Sequence, residues 1–302
     1  MPPSSDRSAT TRVPTIILHG GAGADPGEGR DELRRGMRAA ALAGWRILSA
    51  GGAALDAVEA AVRVLEDDPG FNAGRGSVLN RDGMVELDAS IMEGDRLQCG
   101  AVAAVPRVAN PITLARRILD AGRHILLVGE GALAFARSAG IAECDPAALV
   151  TDRQRRRHAE RAARRSTIGG TVGAVALDRS GTIAAATSTG GTAGKAPGRV
   201  GDSALIGCGT YAESSVGGVS CTGDGEAIIR VVLGHRTLAY LKDAGDPEYA
   251  AKVAVDLLVE EGRGQGGLIL LDWRGRTGYA YSTPLMPVAI MSPALGEPRT
   301  PF

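Results

Sequence analysis

An arginine-rich segment near the middle of the chain constrains its fold more than any other feature. Residues 151–166 include seven arginines among sixteen residues and almost no apolar side chain that could pack in a core. We predict that this segment is an exposed, mobile tether or a solvated helix, because it has no hydrophobic face. It leads to Gly169-Gly170, and a strand of small apolar residues starts directly afterwards at Thr171. The chain therefore passes from solvent into the core within a few residues at this point.

The spacing of apolar residues predicts regular structure on both sides of this segment. Helices are predicted over residues 31–49, 55–65, 111–121, 132–139, 226–241 and 248–261. Strands are predicted over residues 15–18, 100–105, 124–128, 171–178, 182–189, 217–221, 267–272, 277–282 and 288–291. Loose alternation over residues 77–92 predicts a hairpin that turns at Arg81-Asp82-Gly83. The order of these elements indicates antiparallel sheets covered by helices and not a βαβ alternation.

Composition and charge exclude several classes of protein. The chain has 302 residues, 44% of them hydrophobic and 3% aromatic, so Ala, Val, Leu and Ile must fill a globular core. A formal net charge of zero gives no reason to expect nucleic acid or an anionic membrane as partner. No apolar run approaches the roughly 20 residues that span a bilayer. Residues 1–12 lack the apolar region of a secretory signal, so we expect a cytoplasmic protein.

The four cysteines do not predict a metal site or a set of disulfide bonds. They are scattered along the chain without C-x-x-C spacing, at Cys99, Cys144, Cys208 and Cys221. A reducing compartment is consistent with this pattern.

Thr171 could act as a nucleophile if the chain were cut between Gly170 and Thr171. The freed α-amine has an ordinary pKa of about 7.7–8.0, so part of it is neutral at pH 7 and can accept the hydroxyl proton. One residue would then supply both nucleophile and base, which fits a chain with four histidines and no G-x-S-x-G motif. The simpler alternative is that Thr171 is a β-branched residue that starts a strand, and its position alone favours that alternative.

Three later segments carry groups that suit a zwitterionic amino acid as substrate. Thr187-Ser188-Thr189 ends a predicted strand with three hydroxyl groups. Arg199 and Asp202 stand three residues apart in a glycine-rich loop, where they could hold an α-carboxylate and an α-ammonium group. Thr222 and the Gly223 N–H could donate to an oxyanion. Taken singly, these features also fit an ordinary strand end, a surface ion pair and a plain turn before a helix.

Short motifs follow one another along residues 15–286. They are His19-Gly20-Gly21-Ala22-Gly23, Asn72-Ala73-Gly74-Arg75-Gly76-Ser77, Leu87-Asp88-Ala89-Ser90-Ile91-Met92, Gly170-Thr171-Val172-Gly173-Ala174-Val175, Thr187-Ser188-Thr189-Gly190-Gly191, Gly198-Arg199-Val200-Gly201-Asp202-Ser203 and Thr222-Gly223-Asp224-Gly225-Glu226. In this order they resemble the plant-type asparaginase/isoaspartyl peptidase family of threonine N-terminal-nucleophile hydrolases.

The resemblance implies an α+β fold, the four-layer αββα sandwich of N-terminal-nucleophile hydrolases. It also implies that the chain cuts itself into two subunits. The α subunit would be residues 1–170, including the basic linker 151–170, and the β subunit would be residues 171–302. Together they would form one αββα domain, and two such pairs would assemble as a dimer of heterodimers.

The resemblance also assigns roles to the residues that match the family's motifs. Thr171 is implied as the nucleophile, with Thr189 beside it and Gly170 on the other side of the cleaved bond. The oxyanion would be held by Thr222 and Gly223. The implied substrate-binding residues are Arg199, Asp202, Gly225 and Asn72.

No cofactor is implied for catalysis, but one loop resembles a loop that binds a structural sodium ion through main-chain carbonyl groups. The matching residues are Leu65, Glu66, Asp68, Phe71, Ala73 and Arg75. The chain departs from the family pattern at Gly169-Gly170, where many members carry His-Asp or His-Gly. It also departs at residues 192–195, which are smaller than usual and border the expected substrate site, so the substrate preference stays open.

The predicted function is that of an autoprocessing amidohydrolase. It would cleave L-asparagine, β-aspartyl (isoaspartyl) dipeptides or both, and release L-aspartate through an ester on Thr171. The alternatives are a glycosylasparaginase-like or threonine-aspartase-like enzyme of the same superfamily, and a non-catalytic relative that binds amino acids. A phosphate-binding loop is not supported, because residues 190–196 are one residue short of G-x-x-x-x-G-K-[ST] and end in Ala196.

Overall fold

A computed structural model describes residues 12–25, 29–161 and 170–302, apart from the side chain of Arg161. The described strands are β1 (Thr15–His19), β2 (Leu87–Glu93), β3 (Gln98–Val105), β4 (Leu126–Val128), β5 (Val172–Leu177), β6 (Ile183–Thr189), β7 (Thr210–Glu213), β8 (Gly217–Gly223), β9 (Gly266–Asp272), β10 (Thr277–Tyr281) and β11 (Val288–Met291). The described helices are α1 (Arg30–Ser49), α2 (Ala54–Asp67), α3 (Pro111–Ala121), α4 (Gly129–Ser138), α5 (Pro146–Leu149), α6 (Asp152–Arg161), α7 (Gly225–Val231), α8 (Leu233–Ala244) and α9 (Pro247–Glu260). None of the described helices combines the length and the apolar character needed to cross a membrane.

The described strands form two sheets. One has seven strands in the order β11-β1-β5-β6-β2-β3-β4, and the other has four in the order β10-β9-β8-β7. The pair β3 and β4 is parallel, whereas β5 runs antiparallel to both of its neighbours, β1 and β6. Thr171 therefore stands immediately before a central strand of the larger sheet.

Three hydrophobic clusters show how the layers are stacked. The first lies between the seven-stranded sheet and helices α1, α2 and α3, and includes Ile16 and Ala174. The second lies between the two sheets and includes Ile17 and Val175. The third lies between the four-stranded sheet and helices α8 and α9. The order helix, sheet, sheet, helix confirms the predicted αββα sandwich.

Strand β5 is apolar throughout because both of its faces are buried. Successive side chains of a strand point to opposite faces, so Ala174 meets the helices and Val175 meets the second sheet. Small residues let the two sheets approach closely at the start of this strand. A Cβ on Gly173 would lie 2.0 Å from the Ser220 Oγ of the opposite sheet.

The predicted hairpin over residues 77–92 is wrong. No strand precedes Leu87 in this segment, and β2 pairs instead with β3 across a turn at residues 94–97. Residues 79–86 have irregular backbone that hydrogen-bonds to the loop after β6, for example from Arg81 N to Lys195 O at 2.9 Å. The alternation seen in the sequence has another cause, since Leu79 and Val85 are buried on a non-repetitive segment.

The predicted helix over residues 226–241 is two helices. Helix α7 ends and α8 begins on either side of Val232, which has a φ of 51°. A β-branched residue rarely adopts this left-handed conformation, so the apolar periodicity gave no sign of the break. Smaller differences affect β4, which is shorter than predicted, and α4, which starts at Gly129 and not at residue 132. Strand β7 and helix α5 were not predicted.

The arginine-rich segment begins as helix α6, which agrees with the solvated-helix alternative for residues 152–161. Two side chains attach this helix to the loop after α2. Arg153 Nη2 donates to the carbonyl groups of Pro69 and Gly70 at 2.8 and 3.1 Å. The buried Gln154 side chain donates to Gly76 O at 2.7 Å. The rest of the predicted tether, residues 162–166, lies outside the described residues.

Candidate active site

The predicted reactive residues meet at one end of the space between the two sheets. Thr171 precedes β5, Thr189 ends β6 and Thr222 lies next to the end of β8. Thr171 shares its strand face with Val175, and Thr189 shares its face with Ala185, and both of those residues lie in the cluster between the sheets. Strand alternation thus brings these hydroxyl groups together, although they are far apart in sequence.

The Thr171 side chain is held by a second threonine. Thr171 is 5% exposed, and its hydroxyl donates to the Thr189 hydroxyl at 3.1 Å. Thr189 Oγ1 in turn accepts from Gly191 N at 2.9 Å. A hydroxyl that is fixed in this way beside a peptide bond can be directed at a carbonyl carbon.

The bond between Gly170 and Thr171 lies against the turn that follows β1. In this turn Gly21 has a φ of +103°, and a Cβ there would lie 2.3 Å from Gly170 Cα and 2.7 Å from its carbonyl carbon. Only glycine allows both this backbone conformation and this close approach. The turn therefore forms one wall of the predicted cleavage site.

Asn72 supports the turn after Thr189. Its Nδ2 donates to Gly191 O at 2.9 Å, and its Oδ1 accepts from Val78 N at 2.8 Å. Its carbonyl group accepts from Gly190 N at 3.0 Å. These contacts indicate that Asn72 positions the Gly190-Gly191 turn, and its contact with substrate stays a prediction.

Two of the three guanidinium nitrogen atoms of Arg199 form hydrogen bonds with a glutamate. Its Nε and Nη2 donate to the two carboxylate oxygens of Glu226 at 2.8 and 2.7 Å. Nη1 lies near Gly191 and Gly201, and donates to no partner among the described residues. The edge formed by Nη1 and the second hydrogen of Nη2 therefore remains for a carboxylate. The alternative of a surface ion pair with Asp202 is wrong, because Arg199 pairs with Glu226 instead.

Asp202 is a buried carboxylate with an unsatisfied oxygen. It is 4% exposed, and its Oδ2 has no hydrogen-bond partner. Burial raises the pKa of Asp202 to about 7, and the nearby Arg199 partly opposes this shift. A buried unpaired carboxylate is unfavourable, so an ammonium group placed beside Oδ2 would be bound strongly.

The predicted oxyanion-binding groups lie beside this carboxylate. The buried Thr222 Oγ1 accepts from Ala22 N at 3.1 Å, which leaves its own proton free for donation. Three residues after Thr222, a Cβ on Gly225 would lie 2.8 Å from both Arg199 Nη2 and Asp202 Oδ1. The strand end that carries Thr222 and Gly223 therefore adjoins the two charged residues predicted to hold the substrate.

His19 is a histidine next to Thr171 that does not suit the role of general base. Its Nε2 lies 2.9 Å from Ser220 Oγ. Complete burial lowers the pKa of His19 to about 3, against a smaller opposing effect of a hydrogen bond with the Thr171 backbone. A base this weak binds almost no proton at neutral pH. The α-amine of a cleaved Thr171 is a better acceptor for the hydroxyl proton.

The loop predicted to bind sodium offers the oxygen ligands that a hard cation prefers. Arg75 N donates to Glu66 O at 2.8 Å, which closes the loop, and Phe71 N donates to Asp68 O at 3.1 Å. Each of these carbonyl groups keeps a second lone pair for an ion. The side chain of Glu66 is buried, and its Oε2 has no hydrogen-bond partner. The loop therefore offers oxygen ligands of the kind that the predicted sodium ion would need, and no cluster of three or more His, Cys, Asp or Glu among the described residues suggests another metal.

Sequence reasoning missed several residues that shape the site. Glu226 lies in one of the family motifs and was assigned no role, although it holds Arg199. Gly21 was assigned only to a turn, although it contacts the predicted cleavage point. Glu66 was predicted only for its main chain, although its side chain accepts from Ser188 Oγ at 2.7 Å. Burial raises the pKa of Glu66 to about 8. The sequence did contain one sign of this role, because a charged residue at position 66 stands at the end of the apolar pattern of a predicted helix.

Comparison with known proteins agrees with this geometry. The sequence profile of the asparaginase family matches residues 12–295. A Danio rerio protein named isoaspartyl peptidase/L-asparaginase is 44% identical over 90% of each chain. A Homo sapiens protein of the same name is 44% identical over 91% of this chain and 92% of its own. A Pyrococcus abyssi protein named plant-type L-asparaginase is 43% identical over 94% of this chain and 98% of its own. The chain therefore belongs to the asparaginase family that contains the isoaspartyl peptidase/L-asparaginases.

Proposed function

We propose that this protein is an autoprocessing amidohydrolase that releases L-aspartate from L-asparagine and from β-aspartyl dipeptides. The observation that carries the proposal is the hydrogen bond between Thr171 and Thr189, whose neighbour Gly191 donates to Thr189 and lies against Arg199. The names of the similar proteins agree with this substrate class. The contacts do not favour a second function.

Arg199 and Asp202 determine how the substrate lies. The free edge of the Arg199 guanidinium binds the α-carboxylate, and Asp202 Oδ2 accepts from the α-ammonium group. With both groups of the α-carbon held, the side-chain amide of asparagine points toward Thr171. A β-aspartyl dipeptide presents its isopeptide bond at the same place, because both substrates share the aspartyl unit.

The reaction uses the hydroxyl and the amine of one residue. Thr171 Oγ1 attacks the amide carbon, and the α-amine of Thr171 takes the hydroxyl proton. Thr222 Oγ1 and Gly223 N stabilise the oxyanion. The C–N bond then breaks, and the leaving amine takes the proton from the ammonium group of Thr171. Water hydrolyses the aspartyl ester, which releases L-aspartate and restores the threonine hydroxyl.

The same hydroxyl opens the chain. Attack of Thr171 Oγ1 on the Gly170 carbonyl carbon moves the acyl group from nitrogen to oxygen and frees the amine. Hydrolysis of that ester leaves residues 1–170 and 171–302 as two chains. Strands β1 and β2 belong to the first chain and pair with β5 and β6 of the second, which supports their staying together after cleavage. Assembly of two such pairs in the cytoplasm belongs to the same proposal.

The proposed function is tested by measuring L-aspartate released from L-asparagine, from a β-aspartyl dipeptide and from the matching α-aspartyl dipeptide. Hydrolysis of the first two but not the third is expected, because the α-linked isomer has no free α-carboxylate for Arg199. Hydrolysis of an asparagine-linked sugar in preference to both would indicate the glycosylasparaginase alternative. The proposal fails if cleaved protein hydrolyses none of these compounds.

The pH dependence of kcat/KM should report the ionisation of Asp202. Burial raises the pKa of Asp202 to about 7, so below pH 7 this group is protonated and binds the substrate ammonium group poorly. Protonation of the Thr171 amine lowers activity over the same range, so the plot of log kcat/KM should approach a slope of about two. An Asp202→Asn variant should retain weak activity with a slope of about one. A profile of the unaltered protein that stays flat down to pH 5 contradicts this assignment.

We propose further that a sodium ion stabilises the loop of residues 65–75. Thermal unfolding in sodium chloride should occur at a temperature a few degrees higher than in choline chloride of equal ionic strength, because a ligand of the native state stabilises it. Gly74→Ala should disrupt the loop and serves as the comparison variant, since φ at Gly74 is +47° and a Cβ there would lie 2.6 Å from Glu66 O. This variant should unfold at the same temperature in both salts. Equal unfolding temperatures for the unaltered protein would rule out the ion.

A further inference from the structure

The loop that carries Arg199 is held by a segment from the other side of the cleavage point. We propose that residues 79–88, called the clamp segment below, position the substrate-binding loop of residues 191–201. Within it, Asp88 and Glu86 are positioning residues that set the affinity for substrate without touching it. The inference rests on the proposed function, because it concerns how Arg199 holds the substrate.

Asp88 connects the large sheet to the substrate-binding loop. It is completely buried at the start of β2, where it pairs with Thr189 of the neighbouring strand. Its Oδ2 accepts from Gly201 N at 3.1 Å, and its Oδ1 accepts from Ala104 N at 2.9 Å. Ala104 has a φ of 50° at a point where the register of β2 and β3 shifts. One carboxylate thus fixes both an irregular point of the sheet and the loop beside Arg199.

Glu86 holds the same loop on the other side of Arg199. Its two carboxylate oxygens lie 3.0 and 3.2 Å from Gly198 N. Asn80 Nδ2 donates to the same carboxylate at 3.1 Å, which fixes its orientation. Gly198 and Gly201 flank Arg199 in sequence, so the two carboxylates hold the backbone before and after the arginine.

Lys195 adds a buried charge to this contact. It is 6% exposed, and its Nζ donates to Glu86 O at 2.7 Å. Burial lowers the pKa of Lys195, and the carboxylates of Asp88 and Glu86 oppose that shift. Asp88 therefore provides the negative charge that compensates a buried ammonium group next to Arg199.

The two reactions of this protein depend differently on the clamp segment. Self-cleavage needs Thr171, the Thr189 hydroxyl that holds it, and the Gly170 carbonyl group. It does not need Arg199 to bind a substrate carboxylate. Hydrolysis of substrate needs Arg199 in the correct position. Loss of a positioning carboxylate should therefore raise KM and leave cleavage unchanged, whereas general damage to the fold should affect both.

The test compares Asp88→Asn and Glu86→Gln with the control Asp178→Asn. Asp178 is also buried and also holds backbone, accepting from Ala54 N and Gly181 N at 2.9 and 3.1 Å, but it lies beyond the opposite end of β5. Cleavage is followed by gel electrophoresis. KM and kcat for L-asparagine are then measured on the cleaved proteins, with the unaltered protein alongside.

We expect Asp88→Asn to raise KM about tenfold or more, with kcat changed by less than about threefold and with normal cleavage. The half-buried Glu86→Gln should raise KM a few-fold, and it decides the question if Asp88→Asn does not fold. Asp178→Asn should leave KM within about twofold of the unaltered value. An unchanged KM in the folded clamp variants overturns the inference, as does a loss of cleavage that matches the rise in KM. An unaltered protein that is cleaved but inactive means instead that the proposed function has failed.

Discussion

Replacement of Thr171 by alanine should give a folded, unbroken chain of 30.9 kDa that releases no detectable aspartate from L-asparagine. The variant lacks the hydroxyl oxygen proposed to attack the Gly170 carbonyl carbon, so no amine should be freed. It also lacks the nucleophile for the substrate, and loss of such a group lowers kcat by roughly 10⁴-fold or more. Gel electrophoresis and an aspartate assay on the same preparation measure both effects.

The fold should survive this replacement. Thr171 makes one described side-chain hydrogen bond, to Thr189, and loss of such a bond costs about 1 kcal/mol. Thr171→Ser is the matched control, because it keeps the hydroxyl and removes only a methyl group. It should cut itself, more slowly, and keep part of the activity. Cleavage of Thr171→Ala at the usual position would show that another group performs the reaction.

Thr222→Val should lower kcat for L-asparagine by about 10²–10³-fold, with a much smaller effect on KM. Valine has nearly the same shape as threonine but cannot donate a hydrogen bond to the oxyanion that forms during attack. The missing interaction belongs to the transition state, so its loss appears in kcat. Steady-state kinetics should be normalised to the amount of cleaved protein.

Two variants separate this effect from simple loss of a buried hydroxyl. Thr222→Ser keeps the donor and should retain kcat within about tenfold. Thr237→Val removes another buried hydroxyl, which donates to Leu233 O within α8 at 2.8 Å and lies outside the site. It should keep kcat within about twofold. If Thr222→Val and Thr237→Val have equal kcat values, Thr222 does not hold the oxyanion.

Helices and strands were predicted most accurately where the apolar residues of a segment keep one regular spacing from its start to its end. The apolar run of β5 and the helical spacing of α1 and α3 lie in the structure close to their predicted positions. These elements are stabilised by burial of whole faces, and such burial leaves a regular pattern of apolar residues. The proposed nucleophile, the two charged substrate-binding residues and the proposed oxyanion residues could be named for a different reason, because they lie in motifs with family resemblance.

The remaining features depend on contacts that leave no local pattern. Residues 79–86 were predicted as part of a hairpin, but their backbone hydrogen-bonds to the loop after β6, and backbone bonding is independent of side-chain identity. The break at Val232 requires an unfavourable φ that tertiary contacts impose. The partner of Arg199 could not be predicted either, because Asp202 is nearer in sequence than Glu226 but does not pair with it.

We propose above all that Thr171 becomes a chain end and then supplies both the hydroxyl group and the amine of the reaction. Intact mass spectrometry of the freshly purified protein tests it most directly. We expect two masses, one for a fragment that ends at Gly170 and one for a fragment that begins at Thr171. A folded protein that keeps the mass of the single unbroken chain, or that is cut at any other bond, would contradict the account.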